Sequence, residues 1–126
     1  QPSRLVRISC VRPLDDDVLA AYDAPFPDAA SKAGVVAFPE HVPAEPDHPN
    51  APAMMRVREA MAGWEKPALV LFGDSDPIFP PAAAERMAAL IPGAGPAELV
   101  EHAGHMVQED AGEEVGARIA RFLRET

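Results

Sequence analysis

Two short stretches carry the side chains for acid–base chemistry. In LVLFGDSDPIF, residues 69–79, an apolar run ends abruptly in Asp74, Asp76 and Pro77. In EHAGHMVQED, residues 101–110, two histidines follow an apolar run, His102 and His105. A carboxylate held against one ring nitrogen of a histidine orients the imidazole and stabilises the imidazolium, so that the other nitrogen serves as a general base. That chemistry needs an acid and a histidine delivered to one place from distant parts of the chain. The plainer reading is that the acids solvate a turn and that each histidine sits at a helix start or in a buried hydrogen bond.

The elements around these residues favour delivery. PALVLFG is short, continuous and apolar, with no alternation, which fits a strand buried on both faces of a parallel sheet. PPAAAERMAALIPG reads as a helix, with Pro at its start and Pro-Gly at its end. AELVEH is a second, weaker strand candidate. GEEVGARIARFL is a closing helix, with Val115, Ile119, Phe122 and Leu123 on one face. The order strand, helix, strand, helix predicts a βαβ unit with a C-terminal helix. A right-handed crossover makes its strands parallel. Their carboxyl ends then share the sheet edge where open α/β folds bind ligands. Asp74 and Asp76 follow the first strand, and His102 and His105 follow the second. Asp76 and His105 are 29 residues apart, about one strand-helix-strand circuit. A strand-end acid followed by a later histidine is also the order of the last two triad members of α/β-hydrolases.

The first part of the chain, residues 1–64, reads as short helices broken by prolines. LDDDVLAAY carries acids where a helix N-terminus favours them, and Asp15, Asp16 and Asp17 read as a solvated, dipole-complementing start. DAASKAGVVAF reads as a second helix with Asp28 as N-cap, ended by Pro39. EHVPAEPDHPN is a loop. APAMMRVREAMAGW is a third helix, with Met54, Val57 and Met61 on one stripe and Gly63 near its end. No strand is predicted before residue 67. The expected division is a helical segment over 1–64 and a βαβα unit over 65–126.

Composition excludes several classes. A chain of 126 residues is long enough for one domain with a core. Nearly half of it is hydrophobic, so it is no acidic tail. A net charge of −9 argues against nucleic acid and against an anionic membrane surface. Cys10 is the single cysteine, and no apolar run of membrane-spanning length occurs. A cytoplasm-like setting is expected. His41 and His48 lie in the Pro-rich loop without a cysteine nearby, so no metal site is expected there. PGAGPAE lacks a glycine and a preceding strand, and does not read as a dinucleotide fingerprint.

Together, VLFGDSDPIF and HAGHMVQEDAGEEVGARIARFL resemble the C-terminal end of α/β-hydrolases, and the similarity is closer to the haloalkane dehalogenases. AAYDAPFPDAASKAGVVAFP resembles a segment of that family's cap domain, and AGHMVQED resembles the run around its catalytic histidine. The resemblance covers nearly the whole chain, from about Arg4 onward. It implies a partial α/β-hydrolase fold: the rear of a helical cap, then the last two strands of the core. It makes Asp76 the catalytic acid and His105 the catalytic base. In that family a nucleophilic Asp displaces halide from carbon to form an ester, and the histidine activates the water that hydrolyses it. That chemistry needs no metal or organic cofactor. The implied partners are a small haloalkane, water and halide, together with the N-terminal half of the same fold. Phe26 and Val36 from the cap, Ile78 and Phe79 after the acid, and Met106 beside the base are the implied substrate-binding walls.

The chain departs from the family pattern at several points. The nucleophile elbow and the halide-binding residues lie upstream in the family and are absent here, so the chain alone is expected to be inactive. The chain begins at Gln1, in keeping with a fragment. Trp64 precedes EKP at a domain junction and is not assigned to halide. The family's S-Y-K-A-G pattern stands here as ASKAG, with Ser31 in place of the aromatic. FGDS resembles the nucleophile block of the Gly-Asp-Ser-Leu lipases, with Ser75 as nucleophile. Only 51 residues follow Ser75, however, and the only asparagine, Asn50, lies upstream. Another cap-bearing α/β-hydrolase, an esterase or an epoxide hydrolase, remains an alternative. So does a non-catalytic α/β interaction module.

Overall fold

The computed structural model describes residues 1–126. The elements run α1 (Pro2–Ser9), α2 (Asp16–Asp23), α3 (Ala33–Ala37), a 3-10 turn (Phe38–His41), α4 (Ala51–Ala62), β1 (Leu71–Gly73), α5 (Pro81–Leu90), β2 (Glu98–Val100) and α6 (Val107–Glu125).

From residue 65 onward the order is the one the sequence predicts. β1 and β2 pair in parallel, with Leu71 opposite Glu98, Phe72 opposite Leu99 and Gly73 opposite Val100. A parallel bridge from Ala68 to Ala94 extends the contact toward the strand starts. The crossover helix α5 buries Ala84 completely, and Val100 and Ala103 are also fully buried. One expectation fails in part. PALVLFG is expected to be buried on both faces, yet Leu69 and Leu71 are only half-buried. β1 has a paired neighbour on one side alone, and Leu69 and Leu71 line an open apolar groove instead.

The carboxyl ends of the two strands are stapled together. Asp74 N–H donates to the Val100 carbonyl at 3.0 Å, and Ser75 N–H donates to the Ala103 carbonyl at 3.0 Å. The approach is so close that a Cβ on Gly73 would lie 2.2 Å from the Ala103 carbonyl oxygen. Only glycine leaves room for it. Past β2 the chain turns at His102, whose φ of 55° is left-handed. Histidine is among the residues enriched in that region.

The N-terminal part differs more from expectation. α1 was not predicted, although Pro2 in its first turn is a helix-start signal. It buries Val6, and α2 buries Leu19. Ser3 ties the two helices, its N–H and hydroxyl donating to Asp23 at 3.0 and 2.7 Å. The second helix is shorter than DAASKAGVVAF. Asp28 does not cap it; its carboxylate accepts the Ser31 N–H at 2.8 Å in a separate turn, and Lys32 stands before α3. Pro39 does not end the helical path either. It sits in the first turn of the 3-10 segment, where a missing N–H costs nothing. α4 forms as predicted, but none of its residues is buried. No helix is long and apolar enough to cross a membrane.

Candidate active site

Asp76 leaves β1 by way of the turn 74–76 and is 9% exposed. The next residue, Pro77, has no N–H to offer. Its carboxylate reaches the two amides beyond: Ile78 N–H and Phe79 N–H donate to Oδ1 at 2.7 and 2.9 Å. This side-chain-to-backbone turn fixes the carboxylate in place. Oδ2 is left for His105, whose Nδ1 lies 2.9 Å away. Burial pushes the Asp76 carboxyl up. The Phe79 amide, the His105 ring and the Ile78 amide outweigh it and hold the group below the usual carboxylate range. An ionised carboxylate only accepts, so Nδ1 carries the proton in this contact and Nε2 of the neutral ring is the basic nitrogen.

His105 is held from its backbone as well. Its N–H and that of Met106 both donate to the Ser9 carbonyl, at 2.8 and 3.3 Å. The side chain remains one-third exposed, against 4% for that of Asp76. The Phe79 ring lies 5.5 Å from the imidazole, and Phe72 stands edge-on to Phe79 at 6.2 Å. The arrangement is a buried acid, an oriented imidazole with an accessible edge, and an aromatic beside it. It is suited to taking a proton from water.

Of the residues singled out in the sequence, the structure brings Asp76, His105, Ile78 and Phe79 together, with Met106 next in the chain. Asp74 stays outside this contact; its carboxylate accepts the Ser75 hydroxyl at 2.8 Å, which holds it below the usual range. Val36 is 71% exposed and lines a shallow hollow with Leu5 and Val35. Phe26 is half-buried after α2, where its N–H donates to the Asp23 carbonyl at 2.9 Å. The largest groove, about 900 Å³, is lined by α4, β1 and α6 and includes none of the named site residues. No group of three or more His, Cys, Asp or Glu side chains is placed to hold a metal ion. Sequence reasoning missed Asp110, a fully buried acid one turn into α6.

The family model described as the alpha/beta hydrolase fold matches residues 15–112. The chain belongs to that family. Its relatives among curated proteins include haloalkane dehalogenases. The one from Mycolicibacterium paratuberculosis is 41% identical over 116 residues, covering 92% of this chain and 38% of that protein. The one from Mycobacterium marinum is 43% identical over 118 residues, covering 92% of this chain and 39% of that protein. Among solved structures, an ancestral haloalkane dehalogenase superposes with a TM-score of 0.89 at 29% identity, over 97% of this chain and 42% of that one. The tetrameric haloalkane dehalogenase of Paraglaciecola agarilytica gives 0.81 at 30% identity, over 94% of this chain and 40% of that one. The chain thus spans about two-fifths of the length of the curated relatives it matches, and it corresponds to the C-terminal part of the hydrolase fold.

Proposed function

We propose that this chain supplies the acid–base half of a haloalkane dehalogenase active site, with His105 as general base and Asp76 as the acid that orients it. The nucleophile of this reading lies outside the 126 residues. That nucleophilic carboxylate attacks the halogen-bearing carbon, a carbon–oxygen bond forms, and halide leaves. His105 Nε2 then takes a proton from water as the water adds to the ester carbonyl. The tetrahedral intermediate collapses as the imidazolium returns its proton to the leaving alkoxide oxygen, giving free alcohol. The second water proton leaves the carboxyl group for solvent, which regenerates the nucleophilic carboxylate. The positive charge that appears on the imidazole is stabilised by Asp76. In the same proposal, residues 1–64 are the rear of the cap and 65–126 the end of the core. Ile78, Phe79 and Met106 wall the substrate from the core side, and Phe26 and Val36 wall it from the cap. A reducing, cytoplasm-like setting belongs to it too, supported by the single unpaired Cys10.

The observation that carries the reading is the 2.9 Å contact from Nδ1 of His105 to Oδ2 of Asp76. The test joins the chain to an N-terminal half that supplies the nucleophile, using 1,2-dibromoethane as substrate. His105→Gln is expected to release a burst of about one halide per site and then stall as a covalent ester, because the first displacement needs no base. Intact mass would detect the ester. Asp76→Asn is expected to lower turnover by orders of magnitude, up to roughly the four seen when a triad carboxylate becomes an amide. The unjoined chain should release halide no faster than buffer. No trapped ester in His105→Gln would sink the reading. Turnover of a carboxylic ester without halide release would move it to an esterase.

A further inference from the structure

We infer that Asp110 is a positioning residue for His105, acting through the backbone of the 103–106 loop; this rests on the reading of Asp76 and His105 as the acid–base pair. The Asp110 side chain is fully buried, 1% exposed. Its carboxylate gathers three backbone amides from two distant segments. Oδ1 accepts Val11 N–H at 3.1 Å and Arg12 N–H at 2.9 Å, while Oδ2 accepts Val11 N–H at 3.0 Å and Gly104 N–H at 2.7 Å. No Lys, Arg or His pairs with it. A buried carboxylate without a cation is held by oriented amide dipoles alone, so each amide it gathers is fixed in return.

The consequence for His105 follows from the chain path. Gly104, bound to Oδ2, is the residue immediately before His105. The Ser9 carbonyl, two residues before Val11, accepts the N–H groups of His105 and Met106. The segment 9–12 and the loop 104–106 are therefore closed on each other at two points, Asp110 at one and Ser9 at the other. The closure is tight: a Cβ on Gly104 would lie 2.4 Å from the Ser9 carbonyl oxygen. α6 leaves helical dihedrals at Ala111, φ −147° and ψ 41°, directly after Asp110. The turn 107–110 thus takes its direction from what Asp110 binds and not from the rest of the helix. An amide in place of the carboxylate offers one acceptor oxygen and brings an NH2 against backbone donors. The loop would then relax and carry Nδ1 of His105 off Asp76.

The test is nitrogen-15 NMR of the His105 imidazole in the 126-residue chain, reading the tautomer and the exchange of its Nδ1–H. The chain itself should show the Nδ1–H tautomer with slowed exchange. Asp110→Asn should lose the single tautomer and exchange that proton faster, on the order of tenfold. Val11→Pro removes one of the three amides, and Cys10 before it already has the extended backbone that a following proline requires, φ −101° and ψ 151°. It should fold and show a smaller shift in the same direction, so it decides the matter if Asp110→Asn does not fold. Glu109→Gln, in the same turn, should change nothing at His105. An unaltered His105 signature in a folded Asp110→Asn chain, or in Val11→Pro if that is the only folded variant, would overturn the role of Asp110. Absence of the Nδ1–H tautomer in the unsubstituted chain would instead overturn the pair itself. In the joined enzyme, Asp110→Asn should keep kcat/KM and the halide burst while ester hydrolysis, and with it kcat and KM, falls about tenfold, within the range a general base supplies. Equal slowing of burst and hydrolysis would mark a merely structural residue.

Discussion

Residues 65–126 and residues 1–64 are held in shape by different means. Of the six buried hydrophobic side chains, Val70, Ala84, Val100 and Ala103 belong to the first group and only Val6 and Leu19 to the second. Both buried acids, Asp76 and Asp110, are in 65–126. From Ala24 to Trp64 no residue is buried. The βαβα unit is fixed by parallel pairing and a small apolar core. The N-terminal helices are fixed to it at polar points: the Ser9 carbonyl at the end of α1 on the His105 and Met106 amides, the Asp110 carboxylate on the amides of Val11 and Arg12 between the helices, and the Tyr22 hydroxyl of α2 on Glu109 at 2.6 Å. Beyond Ala24 the chain exposes Val36, Phe38, Met54 and Met55. A segment with so little buried area opens at low free-energy cost. The acid–base pair stands in the rigid part, and the proposed cap residues stand in the part that yields.

The largest effect should come from adding one methyl group on each side of this divide. In Gly73→Ala the Cβ would meet the Ala103 carbonyl oxygen at 2.2 Å, and that backbone cannot move without opening the staple between the strand ends. Overpacking of this kind costs about 3 kcal/mol or more. In Gly34→Ala, within α3, nothing lies within 4 Å, and replacing a helical glycine should stabilise by about 0.5–1 kcal/mol. Urea unfolding followed by circular dichroism measures both. Equal effects would erase the distinction between the two regions.

What the sequence made legible divides along the same line. Asp76 and His105 could be found because strand ends, crossover length and side-chain type all pointed to one edge. Asp110 could not, because its partners are backbone amides, two of them some hundred residues away and the third on Gly104, and an amide leaves no mark in residue type. The only signal was an acid in the first turn of a helix, which ordinarily reads as a dipole complement. α1 was missed because Leu5, Val6 and Ile8 bury a single residue among them, Val6. The helix expected over DAASKAGVVAF is longer than α3 because Asp28 does not cap it; its carboxylate closes a local turn with Ser31.

A smaller effect should appear on acidification, and again only on the rigid side. The folded state holds the Asp76 carboxyl below its unfolded value of about 3.9. Its contribution to stability is therefore present above that value and is lost as pH falls through the lower, folded one. Asp76→Asn should be less stable at neutral pH and should lose less stability between about pH 5 and 2 than the unsubstituted chain. Asp74→Asn should change the curve less, because the lowering of its carboxyl comes first from the exposed Ser75 hydroxyl and solvent screens it. Thermal midpoints across that range distinguish the two. Parallel curves for Asp76→Asn and the unsubstituted chain would show that the buried carboxylate is not held as described.

The smallest effect should come from the tie between the two regions, and it has an unusually clean readout. Tyr22 is the only tyrosine in the chain, so tyrosinate absorbance reports this one site. Its hydroxyl donates to Oε1 of Glu109. That bond, followed by burial, raises the phenol above its usual value of about 10. The raised value makes the stabilisation present below about pH 10 and lost as pH climbs through the folded value. Glu109→Gln should bring the tyrosinate transition back toward that of free tyrosine. Tyr22→Phe should cost about 1 kcal/mol in urea unfolding, the usual net worth of one such bond. The cost should fall on α2, whose amides would exchange faster, and not on β1 or β2, whose amides would not change. Faster exchange throughout the sheet would mean that the polar tie and the core open together, and that the two regions form one cooperative unit.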